Sequence, residues 1–333
     1  KKQGKDPNEK KMTKPEITPI VSNRDVASPF LTSIQENAVK PIEPVFLDFK
    51  KDMSQLTAKS DIPVLYKQNT TNDLFQLIYV FDMGNNNDKA LGTAFDYLEY
   101  LGTSDMTPEE LKSEFYRLAC TFYVSPGNER TYVVLSGLNE NMPAAMQLFE
   151  KLLADAQVNK EAYDNLVGDI LKARADAKLN QGQNFSRLMN YAMYGPKSPA
   201  TNLLTEAELA SMNPQELVDR IHNQNNYKHR ILYYGPSSSK DLLATIDQYH
   251  QVPATLKDIP AGNEFSYLET PATKVLVAPY EAKQIYMAQI SNLDKKYDPA
   301  IEPTRELYNE YFGGGMNSIV FQEMRETRGL AYS

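Results

Sequence analysis

Residues 311–333 read YFGGGMNSIVFQEMRETRGLAYS. Three consecutive glycines, Gly313 to Gly315, let the backbone turn sharply, because glycine accepts positive φ without a Cβ penalty. Asn317 or Ser318 can cap a helix that follows. Ile319, Val320, Phe321 and Met324 supply its buried side, and Gly329 ends it. Tyr332 then falls on the next strand, seven residues beyond Arg325. The physical reading is a glycine turn, a short helix and a strand. Such a turn can also hold phosphate at the helix N-terminus. Neither a GxxxxGK nor a GxGxxG pattern occurs, so the common nucleotide loops are excluded.

Outward from this stretch, the chain reads as a large α+β protein. Its 333 residues are 41% hydrophobic and 23% charged, enough for a sizeable core. Strand-length apolar runs occur at Val64 to Tyr66 and Leu74 to Phe81. Ala90 to Leu101 carries apolar residues at helical spacing and is closed by Gly102. Thr107-Pro108-Glu109-Glu110 is a helix start with a capping box. Strands follow at Thr121 to Ser125 and Thr131 to Ser136. Helices are expected over Met142 to Ala156, Lys160 to Leu179, Phe185 to Met193, Glu206 to Ser211 and Pro214 to Asn223. A strand at Arg230 to Tyr234 and a helix at Lys240 to Tyr249 come next.

Two segments read as connectors. Residues 1–51 lack periodicity and carry Pro15, Pro19, Pro29, Pro41 and Pro44. Residues 252–271 carry Pro253, Pro260, Gly262 and Pro271. Beyond them, strands are expected at Lys274 to Ala278 and Gln284 to Ser291, then a helix from about Pro303. The order strand, strand, helix therefore occurs twice, once in residues 52–251 and again in a shorter copy at 272–333. Residues 272–333 are too few to cover a sheet, and the chain stops within an apolar run. We therefore expect a piece of a longer protein, with residues 1–51 leading from a preceding half.

A net charge of −8 argues against a nucleic-acid partner. No run approaches ~18 apolar residues, so no membrane span is expected. The N-terminus has no apolar run of the signal-peptide kind. Cys120 is the single cysteine, read as a small core residue. His222, His229 and His250 form no HxxEH or HxxxH pair and read as surface or packing residues.

The Tyr311–Ser333 string resembles the signature of the C-terminal unit in each half of pitrilysin/insulinase-type peptidases, where a glycine turn precedes SxxFQExRExxGLAYS. The likeness covers about 23 residues. It implies a fold of repeated α/β-roll units, each a mainly antiparallel sheet covered by helices on one side. In active members one half carries zinc on an inverted HxxEH helix, with a further Glu some 70 residues downstream. The other half has no zinc. It faces the site across a closed chamber and supplies an Arg and a Tyr spaced as Arg325 and Tyr332 are. By resemblance these two contact substrate and help to stabilise the developing oxyanion, roles suited to a fixed guanidinium fork and a phenol. Without the likeness, Arg325 reads as a solvated helix charge and Tyr332 as a core aromatic.

The likeness also predicts where zinc would sit in the first unit. The five positions corresponding to HxxEH read Asp96-Tyr97-Leu98-Glu99-Tyr100. Glu99 remains, but Asp96 and Tyr100 stand where two histidines would grip the ion from one helical face. A Tyr phenol with a pKa near ~10 is a poor substitute. The downstream carboxylate falls near Asp169. The implied reading is a zinc-less half that has no catalytic residues of its own, paired with a zinc-bearing half on the same polypeptide and acting on unfolded or short peptides. Alternatives are a separate zinc-less subunit of a heterodimeric peptidase, or a non-catalytic peptide-binding or scaffold member. Relatives with the long two-half layout imply a periplasmic or cell-envelope location.

Overall fold

The computed structural model describes residues 26–282, 284–292 and 297–331. Contacts divide the chain into two units, Lys1–Asp48 and Phe49–Ser333. In the first, the described residues carry one helix, α1 (Pro29–Gln35), where an extended connector was expected. Ser28 causes it: its Oγ accepts the Leu31 N–H at 3.2 Å, and Pro29 occupies the first turn, where a missing N–H costs nothing.

The second unit opens with a helical turn, α2 (Phe49–Asp52), and strands β1 (Ser54–Ala58), β2 (Ile62–Gln68) and β3 (Leu74–Phe81). Helices α3 (Leu91–Leu98) and α4 (Pro108–Arg117) precede the hairpin β4 (Cys120–Pro126) and β5 (Thr131–Leu138). Five helices then run in series: α5 (Met142–Asp155), α6 (Lys160–Lys178), α7 (Gln181–Tyr194), α8 (Glu206–Ser211) and α9 (Pro214–Asn223). Strand β6 (Arg230–Gly235) and α10 (Ser239–Tyr249) close the compact part, and α11 (Glu302–Phe312) follows later.

The six strands form one sheet in the order β1-β2-β6-β3-β5-β4. Only β2 and β6 pair in parallel, with Val64 opposite Ile231; the other neighbours are antiparallel. Period-two alternation puts Phe75, Leu77, Tyr79 and Phe81 of β3 on one buried face. Ile62, Val64 and Tyr66 of β2, Val133 and Leu135 of β5, and Ile231 and Tyr233 of β6 extend that face. Met146, Phe149 and Leu153 of α5, Leu91, Phe95 and Leu98 of α3, Leu217 and Ile221 of α9, and Leu242 and Ile246 of α10 share its core. Burial of each such large side chain contributes about 1.5–3 kcal/mol. The opposite face shows Gln76, Tyr123, Tyr132 and Tyr234 to solvent. The architecture is therefore α+β: a mainly antiparallel sheet with its principal helical layer on one side. Cys120 is buried at the start of β4, as a core residue.

The strands expected at Lys274 to Ala278 and Gln284 to Ser291 are not formed. An extended segment becomes a strand only when a neighbour takes up its N–H and C=O groups, and among the described residues no strand pairs with these. Individual side-chain contacts hold the segment instead. Tyr280 donates to the Leu179 carbonyl at 2.6 Å, Gln181 donates to the Gln284 carbonyl at 2.7 Å, and the Tyr286 ring meets Phe185 at 5.6 Å.

Candidate functional site

The glycine turn ahead of Arg325 is built largely as its sequence dictates. Gly315 takes φ +94°, a region costly to any residue with a Cβ. Ser318, rather than Asn317, provides the cap: it is buried, and its Oγ accepts the Phe321 N–H at 3.3 Å. The turn that follows, Phe321–Thr327, is π-helical, wider than the α-helix its apolar spacing predicts. Gly329 ends it at φ +59°, and the Leu330 N–H returns to the Met324 carbonyl at 2.9 Å. Arg325 stands midway along this turn, its guanidinium 4.7 Å from the Phe321 ring centre and 3.8 Å from a Glu326 carboxylate oxygen. The ring contact has the geometry of a cation–π interaction. Tyr332 lies outside the described residues.

The degenerate zinc positions occupy the end of α3. Asp96, Glu99 and Tyr100 are all exposed, as is Asp169 on α6. The helix stops at Leu98, and the Tyr100 N–H bonds the Tyr97 carbonyl at 3.0 Å, three residues back. Desolvation, and after it the Glu99 charge, hold the Asp96 carboxyl above its usual range although it lies on the exposed side. A carboxyl so raised and a phenol make a donor set that does not fit zinc. Among the described residues no group of three His, Cys, Asp or Glu is placed to hold a metal ion.

Between these positions, Tyr97 is fully buried and ties α3 to the start of α6. Its hydroxyl donates to the Asn159 carbonyl at 2.6 Å and accepts the Asn159 N–H at 2.9 Å. The Tyr97 and Tyr163 rings meet edge to face at 5.8 Å. The α3–α6 junction keeps its packing although the residues at its surface are not zinc ligands.

A second polar constellation lies inside the core. Glu150 of α5 and His250 are fully buried, with His250 Nδ1 2.6 Å from Glu150 Oε1. His250 Nε2 is 2.8 Å from His229 Nε2, and His229 Nδ1 is 2.7 Å from the Tyr227 carbonyl. Tyr79 of β3 donates to Glu150 Oε1 at 3.0 Å, while Asn225 Nδ2 and the Gln251 N–H reach Oε2 at 2.9 and 3.0 Å. Burial, and then the Glu150 charge, push the Tyr79 phenol well above its usual range, so it remains a donor. Burial, and then the His250 charge, lower His229 to about 4. His229 and His250 are thus buried, hydrogen-bonded residues. His222 makes its ring contact with the Ala156 carbonyl at 3.1 Å. The only hint in sequence is a Glu on the apolar side of α5, between Phe149 and Leu152–Leu153.

No family model matches the chain. A zinc protease of Rickettsia felis, itself uncharacterized, is 22% identical over 263 residues, 75% of this chain and 60% of the relative. One from Bacillus subtilis is 23% identical over 247 residues, 72% of this chain and 57% of its own. The chain thus spans little more than half the length of these curated relatives. Among solved structures, a peptidase M16 inactive domain from Pseudomonas fluorescens matches with a TM-score of 0.60 at 19% identity, covering 84% of this chain and 69% of that one. The periplasmic protease PqqL from Escherichia coli matches with a TM-score of 0.58 at 14% identity, covering 74% of this chain and 31% of that one. Relatives by sequence and neighbours by fold converge: the chain is similar in sequence to bacterial zinc proteases and shares the fold of a peptidase M16 inactive domain.

Proposed function

We propose that this chain is the zinc-less half of a zinc metalloendopeptidase, walling the chamber and supplying Arg325 and Tyr332 to a substrate held at zinc in the other half. The observation that carries this reading is the Arg325 turn: a glycine-capped helical turn that fixes a guanidinium, within a sequence matching the family signature. A fixed cationic fork polarises a peptide carbonyl and favours the negative charge that develops on its oxygen during hydrolysis. Residues 52–251 act as a zinc-peptidase-like domain retained for its shape, 252–271 as a connector, and 272–333 as the beginning of the unit that carries the Arg/Tyr pair. Zinc belongs to the partner half, and unfolded or short peptides are the substrate class. A periplasmic or envelope location is consistent with PqqL being a periplasmic protease. Among the described residues no helix is long and apolar enough to cross a membrane.

The test is peptide hydrolysis by the whole protein. Arg325→Ala and Tyr332→Phe should each lower kcat/KM by roughly 10²–10³, the scale of losing one oxyanion donor. Unchanged hydrolysis in both variants would sink the assignment. A second reading makes this chain a separate subunit paired with a zinc-bearing one. Native mass of the purified protein separates the two, since only a separate subunit co-purifies with a second polypeptide.

A further inference from the structure

The buried Glu150–His250–His229 chain has a fixed proton count. The Tyr227 carbonyl cannot donate, so His229 Nδ1 must carry a hydrogen. Glu150 Oε2 faces two donors, Asn225 Nδ2 and the Gln251 N–H, so it carries none. One proton must lie between Glu150 Oε1 and His250 Nδ1, and one between the two Nε2 atoms, which stand 2.8 Å apart. The count corresponds to one carboxylate and one imidazolium beside one neutral imidazole. The cation belongs on His250, 2.6 Å from the carboxylate. A second added proton would set two N–H groups nose to nose, and one proton fewer would set two lone pairs against each other.

We propose that Glu150, His250 and His229 form a proton-counting clasp, which holds residues 224–229 and 250–252 together only while it carries that single extra proton. These segments matter because they line a cavity of about 280 Å³ with Glu150, His222, Asn225 and Gln251 in its wall. Asn225 Oδ1, buried in that wall, has no hydrogen-bond partner. Acid that protonates His229 breaks the His229–His250 link and loosens the wall. The groups facing His229 from each packed element are few. Tyr79 and Phe81 of β3 bring their rings to 6.0 and 4.7 Å, and His250 beyond α10 lies at 5.1 Å. Glu150 of α5 reaches it only through His250, while Arg230 of β6 pairs with Asp82 instead. Among the described residues no anion touches His229 directly, so none offsets a charge placed there. The burial that lowers His229 to about 4 acts in the same direction.

The test is amide hydrogen exchange of residues 224–229 and 250–252 in the whole protein, corrected for intrinsic rates, from pH 7 to 4.5. Exchange should accelerate by up to about tenfold per pH unit once below the ordinary His value. In His229→Gln the side-chain oxygen can accept from His250 and the amide can donate to Tyr227, but neither titrates, so the acceleration should vanish. The same acceleration in the variant, or none in the unmodified protein, overturns the proposal. Should the variant fold poorly, ring C2 hydrogen exchange of His229 in the unmodified protein decides. A midpoint well below about 6.5 supports the clasp, and a midpoint at that ordinary value rejects it.

Discussion

Glu150 receives four donors on its two oxygens, from three parts of the chain: β3, the turn after α9, and the two residues just beyond α10. A carboxylate so supplied tolerates full burial, which an unpartnered one does not. Its histidine partners give the protein an acid-sensitive stability with a definite sign. His229 stands at about 4 in the folded chain against an ordinary value of 6.5. Between those values the unfolded chain binds the proton and the folded chain does not. The contribution is therefore complete above pH 6.5 and is lost as pH falls towards 4, amounting to at most about 3 kcal/mol. Urea denaturation at half-unit pH steps should show this slope in the unmodified protein and a flatter one in His229→Gln. Below that window, carboxylates held low take over: Glu208, brought to about 2 chiefly by Lys89, and Asp82, lowered chiefly by Arg230. None of this constellation was legible in the sequence, where the histidines read as surface or packing residues. Glu150 and His250 lie 100 positions apart, and no local period links residues that meet only when the sheet and α5 are assembled.

Elements were legible wherever a local rule specified them. β3 spans Leu74–Phe81 as its apolar run implies, and α8 and α9 match their periodic stretches. The capping box at α4 forms as expected: Glu110 N–H reaches Thr107 Oγ1 at 3.2 Å, and the Thr107 N–H reaches Glu110 Oε2 at 2.8 Å. Thr107→Ala should cost about 1 kcal/mol in a denaturant titration, and Thr107→Ser should restore most of it. A variant as stable as the parent would show that the box adds nothing. Failures occurred where a partner decides. β1 reads SQLTA, too mixed to announce a strand, yet five residues of β2 pair with it. Lys274 to Ala278 and Gln284 to Ser291 have strand composition but no neighbour. The end of α3 is a subtler case. Apolar spacing runs on to Leu101, but the α-helical bonding ends at Leu98 and gives way to tighter bonds three residues back.

On the scale of the whole molecule, the division of labour leads to a plain expectation about metal. If zinc resides in the partner half, Asp96→Ala and Tyr100→Ala should leave the zinc content of the purified protein and its peptide hydrolysis unchanged within about twofold. Loss of bound zinc in either variant, measured by atomic emission, would return the metal to α3. The family likeness, legible in residues 311–333, and the α+β class, legible in the alternation of strand and helix patterns, together pointed to the fold. The sheet order was not legible, because strand β6 lies between β2 and β3 although only residues 69–73 separate those two in sequence.

That insertion has a consequence for how the protein is made. As the chain leaves the ribosome, β2 and β3 emerge together, but each lacks one of its two neighbours until Arg230–Gly235 has been synthesised. At ~5–20 residues per second, the stretch from Phe81 to Arg230 takes roughly 7 to 30 seconds. Throughout that interval two apolar strand edges stand open, free to pair with each other or with another nascent chain. The sheet is completed by its last strand, so the step that joins its two parts is also the one that removes its chief route to misassembly.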